Sequence, residues 1–125
     1  MQVVATDKAP AAIGPYSQAV KAGGLLFCSG QIALDPASGE MIQGTVEEET
    51  RQVMENLRGV LEAAETGFDR VMKTTIYLTD MTDFPVVNQV YGSFFTELKP
   101  ARATVGVAAL PRGARVEVEA VALLP

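Results

Sequence analysis

The sequence predicts an α+β domain: one β-sheet carrying two helices on a single face. Three observations predict it. Strand-like and helix-like segments follow one another in the order ββαβαββ. Two stretches place apolar residues at helical spacing, so each offers one apolar stripe to a sheet. At 125 residues the chain has room for one core, so residues 1–125 read as a single domain.

The elements follow in order. Ala9-Pro10-Ala11-Ala12-Ile13-Gly14-Pro15 is rich in turn residues and reads as an ordered loop or edge. Residues 17–22 and 25–29 are short runs split by Gly23-Gly24, the pattern of a β-hairpin. Asp35-Pro36-Ala37-Ser38-Gly39 is a turn cluster. Thr45 and Glu48 have the spacing of a capping box, in which hydroxyl and carboxylate each take one unpaired amide. Val53, Leu57, Val60, Leu61 and Ala64 then share one helical face, and Gly67 is placed to end the helix. Residues 71–78 form a strand rich in β-branched side chains. Thr82 or Asp83 caps the second helix, with Pro85 in its first turn. Its stripe is Phe84, Val87, Tyr91, Phe94, Phe95 and Leu98, and Lys99-Pro100 stops it. Residues 103–109 and 116–124 close the chain as two strands.

The helices can cover one sheet face only, yet several strands are apolar on both sides. Leu25 and Phe27 point one way, Leu26 and Cys28 the other. Val116, Val118, Ala120 and Ala122 share a face, with Val121 and Leu123 opposite. A second apolar face on a small domain needs a cover. A further copy of the chain is the economical one, so a closed homo-oligomer is expected.

Composition removes several kinds of chemistry. The chain has no histidine, which excludes Ser-His-Asp and Cys-His mechanisms and most zinc sites. No dense Asp/Glu motif suggests a magnesium site. Net charge is −5 and the arginines are scattered, which argues against broad nucleic-acid binding. No apolar run approaches a membrane span, and the first residues lack a secretory pattern, so a cytoplasmic protein is expected. The single cysteine, Cys28, lies in an apolar run and reads as a buried, inert thiol. The five methionines read as core filling.

Two ionisable residues stand out. Arg102 opens a strand, and Glu119 sits midway along the last one, where a carboxylate is costly to bury unpaired. Neighbouring antiparallel strands would bring the two together on one sheet face. The residues alone leave open a structural ion pair, two exposed charges or a functional pair. Gly14 and Pro15 fix the backbone so that Tyr16 either hangs over a pocket or packs at an edge. Gly30, after Ser29, either lets backbone approach a ligand or makes an ordinary turn. Asn88, on the second helix, is another polar candidate.

Four motifs resemble the Rid/YjgF family, close to its RidA members. They are Ile13-Gly14-Pro15-Tyr16-Ser17-Gln18-Ala19, Phe27-Cys28-Ser29-Gly30-Gln31-Ile32, Pro100-Ala101-Arg102-Ala103-Thr104-Val105, and Val116-Glu117-Val118-Glu119-Ala120-Val121-Ala122. Residues 52–57, 73–78 and 87–95 resemble it too, so the likeness runs through nearly the whole chain in order. Each motif alone is weak; the ordered set is specific.

The resemblance implies a chorismate-mutase-like mixed β-sheet with two helices on one face. It also implies a homotrimer with active sites at the subunit interfaces. The implied activity is hydrolysis of 2-aminoacrylate-type enamines and imines to 2-oxo acids and ammonia, a form of metabolite damage control. In that reading Arg102 binds the substrate carboxylate, as a planar two-donor guanidinium can. Glu119 orients or activates water. Tyr16, Ser29, Gly30 and Asn88 match substrate-lining positions. Thr104 falls where some members carry cysteine, which leaves only its backbone amide to help hold the carboxylate. An iminium carbon is already electrophilic, so no metal or organic cofactor is required. Three other readings compete: an RNA-acting translation inhibitor, a non-enzymatic ligand-binding or chaperone-like trimer, and, by fold analogy alone, a chorismate mutase.

Overall fold

The computed structural model describes all 125 residues, Met1–Pro125. Its strands are β1 (Gln2–Val4), β2 (Ala19–Ala22), β3 (Leu25–Gln31), β4 (Val71–Leu78), β5 (Ala101–Gly106) and β6 (Val116–Leu123). Its helices are α1 (Val46–Ala63) and α2 (Phe84–Gly92). The strands form one six-stranded sheet in the order β1-β2-β3-β6-β4-β5. All pairings are antiparallel except β4 with β5, which are parallel because α2 carries the chain back to the same end of the sheet. The sheet is therefore mixed, and the α+β expectation holds. No helix is long and apolar enough to cross a membrane.

Local chemistry explains most of the elements. Gly23 and Gly24 take φ values of 60° and 79°, which a two-residue hairpin turn requires, and Ala22 pairs with Leu25 across it. Asp35 Oδ1 accepts from the amides of Ala37 (2.8 Å) and Ser38 (3.0 Å) and closes the predicted turn. The capping box forms: Thr45 Oγ1 accepts from Glu48 N (3.2 Å), and Glu48 Oε1 accepts from Thr45 N (3.0 Å). Val53, Leu57, Val60, Leu61 and Ala64 are all buried, packed with Leu26, Ile76, Val116 and Val118 from the sheet.

Six details differ from the sequence reading. β1 is absent from it; three residues are too few for a periodic signal, and β1 exists by pairing with β2. Glu65 rather than Gly67 takes the left-handed position after α1, with φ 62°. Asp80, not Thr82 or Asp83, supplies the side-chain cap, accepting from Thr82 N (2.9 Å) at the short turn Met81–Asp83 that leads into α2. α2 ends at Gly92, so Phe94 and Phe95 pack from a loop and Leu98 is exposed. β5 starts two residues earlier than expected and stops at Gly106. Among the methionines only Met54 is fully buried, while Met1, Met72 and Met81 are exposed.

Polar side chains lock the irregular parts in place. Buried Gln18 accepts from Thr6 N (2.7 Å) and donates to the carbonyls of Thr6 (3.0 Å), Ala9 (3.2 Å) and Pro10 (2.7 Å). It thereby fixes the N-terminal segment beside β2. Glu49, buried at the start of α1, accepts from Arg115 N (2.8 Å) and Arg115 Nε (2.6 Å) just before β6. Asn56 donates to the carbonyls of Ile32 (3.1 Å) and Leu34 (2.9 Å). Each bond satisfies backbone that ladders cannot reach.

Candidate active site

The sequence candidates fall into two groups on opposite faces of the sheet. The first lies at the β5 edge on the helix side. Arg102 is partnered with Thr74 of β4, and Thr74 with Ala120 of β6, so Arg102 shares the face of buried Thr74 and Ala120. Its NH1 donates to Asn88 Oδ1 (2.6 Å). Its guanidinium carbon lies 5.2 Å from the ring centre of Tyr91 and 5.5 Å from that of Phe84. The Tyr91 hydroxyl is bonded in turn to Thr74 Oγ1 (2.6 Å), which fixes the ring. Ring faces attract a guanidinium without neutralising it. The ion pairs in the chain are Arg58–Glu55 and Arg115–Glu49, so Arg102 has no carboxylate partner. Thr104, two residues along β5, shares this side and is half-buried. A pocket of about 420 Å³ is lined here by Asn88, Tyr91, Lys99 and Arg102.

The second group lies on the uncovered face and around the end of β3. A cleft of about 670 Å³ is lined by Tyr16, Ser29, Gly30, Arg112, Glu117 and Glu119, among others. Tyr16 is exposed, its hydroxyl near the amide of Ile13 (3.4 Å). The Ser29 hydroxyl donates to the Ser17 carbonyl (2.6 Å), tying the loop before β2 to β3. Gly30 makes room for Glu117: a Cβ there would stand 2.5 Å from Glu117 Oε2. Glu119 accepts a hydrogen bond from the Tyr77 hydroxyl. That bond, with burial adding to it, pushes the Tyr77 phenol above its usual range. Burial, and then the charge of Glu119, pushes the Glu117 carboxyl above the usual carboxylate range.

One expectation is thus corrected. Arg102 and Glu119 are not neighbours within the chain. β4 stands between their strands, and the register puts Glu119 opposite Thr75, on the face away from Arg102. A structural ion pair between them within one chain is excluded. The residues the sequence reading missed are Phe84, Tyr91 and Thr74, which seat Arg102, and Tyr77 and Glu117, which flank Glu119. The alternation Val116-Glu117-Val118-Glu119 already put both carboxylates on one face; the sheet order that adds Tyr77 is not local. Cys28 is buried as expected, and burial pushes its thiol up to about 12. No cluster of three or more cysteine and acidic side chains is arranged to hold a metal.

Residues 6–124 match the model of the family described as endoribonuclease L-PSP. The chain is 52% identical to the mouse (Mus musculus) protein named 2-iminobutanoate/2-iminopropanoate deaminase, over 98% of this chain and 90% of that one. It superposes on the crystal structure of RidA from the Antarctic bacterium Psychrobacter with a TM-score of 0.94 at 44% identity, over 99% of this chain and all (100%) of that one. It superposes equally well on E. coli TdcF with bound serine, with a TM-score of 0.94 at 38% identity and full (100%) coverage of both chains. Sequence, fold and ordered motifs agree, and the chain belongs to the endoribonuclease L-PSP family, the Rid/YjgF proteins.

Proposed function

We propose that this protein is a 2-iminobutanoate/2-iminopropanoate deaminase, which hydrolyses 2-aminoacrylate-type enamines and imines to 2-oxo acids and ammonia. The observation that carries the proposal is the guanidinium of Arg102. Asn88 and two aromatic rings hold it at an exposed strand edge, with no carboxylate to neutralise it. That is a seat for a small carboxylate. The names of the relatives at about half identity, and the serine bound to TdcF, point the same way.

The two groups of residues form one site only if two copies meet. β5 is an edge strand, exposed along most of its length, and the sheet face with Phe27, Glu119, Val121 and Leu123 is uncovered. In the closed homotrimer we infer, the β5 edge of one copy meets the uncovered face of the next. This gives three interface sites, each with Arg102, Asn88 and Thr104 from one copy and Tyr16, Ser29, Gly30 and Glu119 from its neighbour.

In such a site Arg102 grips the carboxylate through two parallel N–H donors. Glu119, held through one oxygen by Tyr77, presents its other oxygen to a water beside the C=N carbon. Tyr16 closes over the substrate. Positioning of an already electrophilic carbon is the main contribution. The reading places the enzyme in the cytoplasm and asks for no metal or organic cofactor.

The word endoribonuclease in the family's description suggests a second reading. This chain has no histidine for proton transfer to and from ribose, and its net charge is −5. RNA cleavage is therefore not proposed here.

The test couples a serine/threonine dehydratase to the protein and follows imine decay. The protein accelerates decay above the buffer rate. Arg102→Ala lowers kcat/KM by about 100-fold or more, since two charge-assisted hydrogen bonds at roughly 1.5–3 kcal/mol each are lost. Equal decay with native protein and with buffer overturns the assignment.

A further inference from the structure

The cleft has a cation of its own. Arg112 lines it together with Glu117 and Glu119 and is the one basic residue to do so. Neither ion pair of the chain, Arg58–Glu55 or Arg115–Glu49, includes it. Its side chain is exposed, and its NH1 reaches the Gly39 carbonyl at 3.4 Å, a long contact that leaves most of the guanidinium donors free.

The backbone beneath it is not one that arginine prefers. Arg112 stands at φ 60° and ψ 24°, Gly113 at φ 71°, and Ala114 N closes the turn onto the Pro111 carbonyl (3.1 Å). Two left-handed central positions suit glycine or asparagine, and an arginine there costs free energy. An outlier of this kind on the wall of a cleft points to a task for its side chain. Size points the same way. At about 670 Å³ the cleft is in the range of pockets for drug-sized ligands. A three- or four-carbon imino acid held by its carboxylate leaves most of that space unused.

We propose that Arg112 is a specificity-determining residue that binds a second carboxylate, at the end of the substrate's side chain, and so admits 2-imino dicarboxylic acids such as 2-iminosuccinate. The inference rests on the deaminase reading above and adds a substrate class to it. One carboxylate goes to Arg102 of one copy and the other to Arg112 of the copy that supplies the cleft. Without Arg112 the distal carboxylate would face Glu117 and Glu119 alone, and like charges repel. With it, a guanidinium with free donors meets a planar carboxylate and two N–H bonds form. A neutral side chain of equal length gains no such ion pair. The reaction itself is unchanged. The water oxygen bonds to the C=N carbon of the iminium, the C–N bond breaks with its electron pair on nitrogen, and both water protons end on nitrogen. Iminium and water give 2-oxo dicarboxylate and ammonium, and the distal carboxylate takes no part.

The experiment compares two imines of equal length with the full chain. One is 2-iminosuccinate, made from aspartate by an L-aspartate oxidase. The other is its uncharged amide counterpart, made from asparagine by an L-amino-acid oxidase. The quantity read is the ratio of their kcat/KM values, in which any loss of folded protein or of catalysis common to both cancels. The native ratio is expected to exceed about 5. Arg112→Asn, which suits the left-handed turn, should lower the ratio about 10-fold or more, while Arg112→Lys, which keeps the charge, retains part of the preference. A native ratio of one or below overturns the inference and needs no variant. So does an Arg112→Asn ratio within twofold of native, which would make Arg112 a general neutraliser of the two carboxylates. Hydrolysis of 2-iminopropanoate without the dicarboxylate preference removes this inference alone; a native protein that hydrolyses none of the three imines removes the deaminase reading and this inference with it.

Discussion

The two faces of the sheet follow the same strand geometry and end with opposite roles. Along β6, Val116, Val118, Ala120 and Ala122 are buried under the helices, while Glu117, Glu119 and Val121 are half-exposed and Leu123 is exposed. Along β4, Thr74, Ile76 and Leu78 are buried, while Lys73, Thr75 and Tyr77 face outward. The covered face is almost wholly apolar and is completed within the chain. The uncovered face mixes Phe27, Val121 and Leu123 with two carboxylates and a tyrosine. One face carries the apolar core of the chain; the other carries the cleft and is where the proposed second copy docks. A period of two is what allows one strand to serve both.

Substitutions on either face test this division, with the largest expected effect on the covered side. Leu57→Ala empties a fully buried position on α1 and should cost about 2–5 kcal/mol in denaturant unfolding. A cost below about 1 kcal/mol would mean that the helix face is not the main source of stability. Phe27→Asp places a charge on the uncovered face, where the residue is 43% exposed. It should abolish the proposed trimer in solution-mass measurements while the far-ultraviolet circular dichroism of the chain persists. A mutant that keeps the native mass would show that this face is not the interface. The smallest effect is expected at Cys28, which is buried and has its thiol pushed up to about 12. At pH 8 the folded protein should resist thiol alkylation and become reactive only on unfolding. Rapid labelling of native protein would show that β3 opens locally.

Elements with local causes were legible in the sequence. The capping box of Thr45 and Glu48, the stripe from Val53 to Ala64, the Gly23-Gly24 turn and the bounds of β4 each follow from neighbours a few residues apart. Elements with distant causes were not. β1 depends on β2 and on Gln18, and α2 ends early because Phe94 and Phe95 reach Phe68 from a loop. The candidate residues could be picked out in the sequence, but not how they are arranged. Arg102 and Glu119 looked like neighbours because their strands are consecutive in sequence; the crossover through α2 puts β5 beside β4 instead.

By itself the sequence determined which of the longer segments become strands and helices, which residues along each strand share a face, and that one partly apolar face is left over. These follow from periodicity and short-range capping, which act between residues close along the chain. Only the tertiary structure decided the strand order. That order put Arg102 on the helix side over Tyr91 and Phe84, and gave Glu119 its bond to Tyr77 and its place beside a half-buried Glu117. The physical reason is that strand pairing is a long-range choice, set by which faces bury together and by how each connection crosses the sheet.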